Sequence, residues 1–294
     1  MVSLGSSLAR GFGRRLASRG LVQQTAVPSC CPGALPMLPT DDISYVPKGE
    51  TIKLGGSNCY RVGQNWGTAI VVMHDVFGPN SGGHKQVCDT LASNGHYVIM
   101  PDFYDGFSIE PYYKAAKVKE GKEELKKFGW WHCGPIMDAV YEHIYGDLKV
   151  NRCGSIGFCW GAWAVARACQ DPSKMHAGVW AHPSCQVGRE LYGEDDEKWL
   201  ASTVKSPTLV LPTPQEPDMY CDGSLTNIMN GNGVETDTVY FGAPVTHGFF
   251  VRAAGFLGKS WIECGGQFDQ DEFVAAQRGI NLSLGFYAKH LHGK

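Results

Sequence analysis

The sequence predicts one α/β domain: a mostly parallel central sheet with helices on both faces. Three observations point there. From residue 68 to the C-terminal end, short β-branched apolar runs alternate with helical patterns, the order that produces parallel strands joined by crossover helices. Those runs are continuous rather than alternating, as in strands buried on both faces. The chain has 294 residues, 43% apolar and 19% charged, which supports one large core and excludes a disordered chain. There is no internal repeat and no second-domain boundary. No run of 18 or more apolar residues occurs, so no membrane-spanning helix is expected.

The elements follow in order. Residues 20–50 read as a linker, because PSCCPGALPMLPTDD carries four prolines, which disfavour helix and ladder alike. NCYRV (58–62) opens an edge strand. TAIVVMHD (68–75) is a buried parallel strand, and FGPNSGG after it is a loop. HKQVCDTLASNG (84–95) is a helix with Val87, Cys88, Leu91 and Ala92 on one face and Gly95 as its stop. HYVIMPDFY holds a second strand ending at Pro101. Residues 111–147 are helical, as two helices around GWWHCGP. RCGSIGF (152–158) is the third strand, followed by the alanine-rich helix GAWAVARACQ. AGVWAH (177–182), PTLVLP (207–212) and TDTVYF (236–241) are the fourth to sixth strands. Phe273, Ala276, Ile280, Leu284, Tyr287 and Leu291 recur at helical spacing, so the chain closes on a long amphipathic helix.

Charge is unevenly placed. The net charge is −3 and offers no general attraction for nucleic acid. The first 40 residues hold Arg10, Arg14, Arg15 and Arg19 and no acid, which leaves 22 basic against 29 acidic residues in 41–294. The arginine- and serine-rich start, with Leu8, Phe12 and Leu16 on one stripe, has the composition of an organellar presequence. Mitochondrial targeting is therefore expected, with plastid or cytoplasmic location as alternatives. Residues 1–40 are read as presequence-like segment and linker, and 41–294 as the folded domain. The eleven cysteines contain no CxxC pair, so neither a structural zinc nor a disulfide framework is expected.

One cysteine is placed differently. GFCWGA (157–162) is G-x-C-x-G between an apolar strand and an alanine-rich helix. That is the context of a nucleophile elbow, a strained strand-to-helix turn whose close backbone approaches require Gly157 and Gly161. It would lift Cys159 above the sheet at a helix N-terminus, where the helix dipole favours thiolate. His247, in VTHGFF, lies after the last strand, where the base of an α/β-hydrolase triad stands. The acid should follow PTLVLP, and the segment there offers Glu216 and Asp218. His74 and His182 end strands on the same edge and are candidates to line the pocket.

These stretches resemble the dienelactone hydrolase family, the carboxymethylenebutenolidase-like branch of the α/β-hydrolases. The resemblance runs from about residue 28 to 291. It rests on SCCPG and YVPKGETIKL, on HDVFGPNSGGHKQVCDTLASNGHYVIMPDFY, on the cysteine elbow GFCWGA and on THGF. It implies an α/β-hydrolase fold, Cys159 as nucleophile and His247 as base. It implies an oxyanion hole from the backbone N–H groups of Val76 and Trp160, and Tyr104 and Arg252 near the substrate. The position of Asp75 holds a glutamate in the family that contacts the resting thiol and is displaced by substrate; Asp75 is one methylene shorter. In the family's register the triad acid falls on Glu216, a glutamate where aspartate is usual, while Asp218 keeps the usual side chain two residues on. Bacterial members place an arginine shortly after the tyrosine matched by Tyr104; here Asp105-Gly106 follows.

The expected function is hydrolysis of a small-molecule ester or lactone by a Cys-His-acid triad through a thioester, with no metal or organic cofactor and no nucleic-acid or membrane partner. The sequence does not define an oligomeric state. Two other readings remain open: a non-catalytic α/β-hydrolase-fold binding protein, and a thiol-based redox protein using Cys153 or Cys185 as resolving cysteine. The Trp130-Trp131 pair is expected in the core.

Overall fold

The computed structural model describes residues 45–252 and 270–292. The presequence-like segment 1–40 and Cys264 lie outside the described residues. The fold is a single α/β domain on an eight-stranded sheet of order β1-β2-β4-β3-β5-β6-β7-β8. The strands are β1 Glu50–Leu54, β2 Ser57–Val62, β3 Thr68–Met73, β4 Tyr97–Pro101, β5 Arg152–Phe158, β6 Ala177–Ala181, β7 Thr208–Leu211 and β8 Thr236–Thr238. β1–β2 and β2–β4 pair antiparallel; every other pair is parallel.

Period-two alternation sorts each buried strand into two cores. Ala69, Val71 and Met73 of β3 face one side, where the helices Trp130–Tyr141, Trp160–Ala168 and Glu197–Thr203 pack. Ile70 and Val72 face the other, against the helices His84–Ser93 and Gln270–Leu291. The closing helix buries Ala276, Ile280, Leu284, Tyr287 and Leu291 as its spacing predicts, and Tyr287 donates from its hydroxyl to the Ser155 carbonyl at 2.8 Å. Burial of each large side chain there contributes about 1.5–3 kcal/mol.

Three expectations are corrected. The edge strand is β1, which the polar run ETIKL conceals, and NCYRV lies one strand further in. The 111–147 region breaks at Gly129, the first residue of GWWHCGP, but holds more than two helices. Gly129, extended at φ −71° and ψ −179°, starts a helix from Trp130 that carries Pro135 inside it. The helices Glu110–Lys114 and Val118–Leu125 precede it. The last strand stops at Thr238, and Val239–Phe241 continue as loop tied by single hydrogen bonds to Val210 of β7 and to Pro212 after it.

Strand order reverses at β3, which has β4 on one side and β5 on the other. Loops leaving the C-terminal ends of β3 and β5 therefore diverge, and ligands of open α/β sheets bind at such a switch point. Asp75 and Val76 follow β3, and Cys159 follows β5.

Candidate active site

The elbow is built by close backbone contact. Cys159 adopts φ 54° and ψ −112° between β5 and the helix Trp160–Ala168. A Cβ on Gly157 would stand 2.1 Å from the Gly161 carbonyl oxygen, and one on Gly161 2.2 Å from that of Met73. Only glycine fits either position. The Cys159 N–H donates to the Ala181 carbonyl at 3.1 Å, which ties the turn to the end of β6.

His247 comes from the loop after β8. Its ring and the Cys159 sulfur border the same cavity, and each acts electrostatically on the other. Its Nδ1 is 2.6 Å from Glu216 Oε1, and that carboxylate is buried. Glu216 Oε2 also accepts from the Thr213 N–H, and Gln215 Oε1 accepts from the His247 backbone N–H at 2.9 Å. The loop after β7 thus holds His247 at both its ring and its main chain. Asp218, the other acid candidate, is exposed at the start of the helix Asp218–Cys221 and makes no contact with His247.

Electrostatics favour charge separation between sulfur and imidazole. Burial alone would push the thiol up; the His247 charge and the hydrogen bond with Ser184 outweigh it, so Cys159 is held below its ordinary value. Burial alone would lower His247; Cys159 and Glu216 outweigh it and raise the imidazole above its ordinary value.

Asp75 does not touch the thiol. Its carboxylate takes a bidentate pair from Arg252, Nε to Oδ2 and Nη2 to Oδ1, both 2.8 Å, and its Oδ1 also accepts from the Phe77 N–H at 2.9 Å. The His84 Nε2 accepts from the Asp75 N–H at 3.2 Å, so His84 is neutral at that nitrogen. Burial would raise the Asp75 carboxyl; the Arg252 guanidinium, aided by the Phe77 N–H, outweighs it and holds it below the usual carboxylate range. The shorter side chain folds back onto its own loop instead of reaching for the sulfur.

A cavity of about 230 Å³ opens over Cys159. Val76, Ile109, Tyr113, Leu125, Val187 and Leu191 give it apolar walls, with Trp160, Ser184 and His247 around the sulfur and Lys122 and Glu190 among its polar lining. The backbone N–H groups of Val76 and Trp160 have no backbone acceptor among the described residues. Tyr104 and Arg252, expected beside the substrate, are not in this lining. Tyr104 is buried against Trp160, 4.8 Å between ring centroids, and Arg252 lies over the Phe77 ring at 4.3 Å. His74 is buried under Trp160 and Tyr104. His182 packs edge-on to His247 at 4.9 Å. The tryptophan pair splits: Trp130 packs on Trp163, while Trp131 is 62% exposed.

Sequence reasoning missed Ser184 and Gln215. Ser184 stands three residues beyond the strand that flanks the elbow, a position a parallel sheet brings beside Cys159. Gln215 adjoins Glu216 and carried no separate signal. Among the described cysteines none is in a disulfide; the Cys153 thiol donates to the Gly154 carbonyl, and the Cys185 thiol is buried. Among the described residues no cluster of three or more His, Cys, Asp or Glu side chains is placed to hold a metal ion, and no helix is long and apolar enough to cross a membrane.

Known proteins share this arrangement of chain. A carboxymethylenebutenolidase homolog of Rattus norvegicus is 28% identical over 171 residues, which cover 58% of this chain and 65% of that protein. An uncharacterized AIM2 family protein of Schizosaccharomyces pombe is 28% identical over 203 residues, covering 60% of this chain and 80% of that one. The chain thus spans less than two thirds of the rat relative's length. Among solved structures, a putative dienelactone hydrolase from Klebsiella pneumoniae superposes with a TM-score of 0.55 at 18% identity, over 80% of this chain and 93% of that one, a likeness of fold. Residues 59–286 match the Dienelactone hydrolase family, and with over half its length inside that match the chain belongs to this family.

Proposed function

We propose that this chain hydrolyses small carboxylic esters or lactones with Cys159 as nucleophile, His247 as base and Glu216 as the acid that orients it. The observation that carries this reading is the Glu216–His247 hydrogen bond set beside Cys159 at one cavity, with thiol and imidazole electrostatically coupled. Sulfur gives its proton to His247 and attacks the carbonyl carbon. The oxyanion is held by the Val76 and Trp160 amides, each such donor being worth about 10²–10³ in rate. His247 protonates the departing alkoxide and leaves a thioester. Water then gives a proton to His247 and adds to the thioester, and the acid departs as sulfur recovers its electron pair.

The cavity also bears on substrate class. Its walls are apolar, Lys122 and Glu190 balance each other in charge, and the Arg252 guanidinium is taken up by Asp75. A compact, uncharged acyl group fits that chemistry. The test is hydrolysis of p-nitrophenyl acetate by the wild type and by Cys159→Ala. The expected result is turnover in the wild type and none above background in the variant; equal rates would remove Cys159 as nucleophile.

A further inference from the structure

A second side chain besides His247 stands beside the reacting sulfur. Ser184 Oγ lies 3.4 Å from Cys159 Sγ, buried at the edge of the cavity. The Ser184 backbone N–H donates to the Cys159 carbonyl at 3.1 Å, so the turn after β6 is fastened to the elbow at both main chain and side chain. The chain reaches this position through His182, whose φ of +37° is one that L-residues avoid. Both ring nitrogens of His182 are buried without a hydrogen-bond partner among the described residues. Neither feature favours the fold by itself; both lie on the two-residue path from β6 to Ser184. Among the described residues the Ser184 hydroxyl makes no other side-chain hydrogen bond. The nearby carboxylate of Asp75 is committed to Arg252.

We infer that Ser184 is a catalytic residue: its hydroxyl donates a hydrogen bond to Cys159 whenever the sulfur is anionic. The inference rests on the hydrolase reading above. In the resting enzyme the thiol proton sits on His247 and the Ser184 O–H points at the thiolate. On attack the sulfur electron pair becomes the S–C bond, the carbonyl pair moves to oxygen, and the sulfur loses its charge and its hold on Ser184. After water has added to the thioester and passed its proton to His247, the C–S bond breaks. Its electron pair returns to sulfur, and the Ser184 O–H receives the thiolate again. Ser184 therefore favours thiolate at rest and thiolate as leaving group, and its largest effect falls on thioester hydrolysis.

The experiment is the pH dependence of iodoacetamide alkylation at Cys159, followed on the Cys159 peptide by mass spectrometry, in wild type and Ser184→Ala. A hydrogen bond to a charged group is worth about one pH unit, so the apparent thiol pKa should rise by roughly that amount. Pre-steady-state hydrolysis of p-nitrophenyl acetate should show the burst retained and the following turnover slowed about tenfold. Ser184→Gly removes the same hydroxyl and serves if the alanine variant does not fold. An unshifted thiol titration in a folded variant overturns the inference. Alkylation does not depend on turnover, so the two claims separate. An unshifted titration beside Cys159-dependent hydrolysis sinks only the role of Ser184. Ester hydrolysis that survives Cys159→Ala sinks the reading of Cys159 as nucleophile, and the role of Ser184 with it.

Discussion

His247 is held between a buried carboxylate and a thiol, and that position defines what Glu216 must do. Glu216→Gln keeps the size and the contacts at Nδ1 but removes the negative charge that supports the imidazolium. Turnover should fall on the order of 10²–10⁴-fold, by analogy with loss of charge at other triad acids. Asp218→Asn, at an exposed helix start, should change it little. Steady-state kinetics on one aryl ester decides; equal losses would mean that the wrong acid has been paired with His247. The sequence narrowed the acid to these two residues by chain order and by register. It did not separate them, because that choice depends on where one loop turns. Asp75 illustrates the same limit. Its position at a strand end was legible, but its partner Arg252 lies 177 residues away and is found only by folding.

At the scale of elements, the glycine spacing of the elbow was the most legible feature. Buried β-branched runs and their flanks located β3 to β7, since a strand covered on both faces must be apolar throughout. β1 escaped notice because an edge strand is half solvated and its residues read as polar. The short helices Val187–Tyr192 and Ser224–Gly231 carry too few turns for a periodic signal. The elbow gives a sharp stability contrast. In Gly161→Ala the new Cβ meets the Met73 and His74 carbonyl oxygens at 2.2 and 2.7 Å, and main chain cannot swing aside as a side chain can. The substitution should cost about 3 kcal/mol or more and move β3 away from the sulfur. Gly231→Ala, with nothing within 4 Å, should be neutral or gain up to about 1 kcal/mol of helix propensity. Urea unfolding midpoints of the two variants test this; similar midpoints would contradict the close packing of elbow on β3.

The whole molecule encloses four histidines, His74, His84, His96 and His182, at near-zero exposure. Burial is the largest cause holding each below the ordinary imidazole value, to about 4 for His84 and for His96. Below pH 6.5 the unfolded chain protonates these side chains and the native state does not. The unfolded state then binds more protons, and stability falls as pH falls from about 6.5 towards 4. At pH 5.5 His84 and His96 alone should remove about 3 kcal/mol, and His74 and His182 act in the same direction. His247 does not offset this. Its native value is raised, so it is protonated in both states below 6.5 and adds no slope there. The Asp75 carboxyl, held low by Arg252, enters only at more acid pH and with the same sign. Urea midpoints at pH 7.5 and 5.5 should therefore differ by a large share of the 5–15 kcal/mol typical of a folded domain. His96→Gln, which removes the ring bonded to Thr68 at 2.9 Å, should reduce the slope by one proton. Equal midpoints at the two pH values would mean that these rings take up protons in the native state and that the two cores are more open to water than their packing indicates.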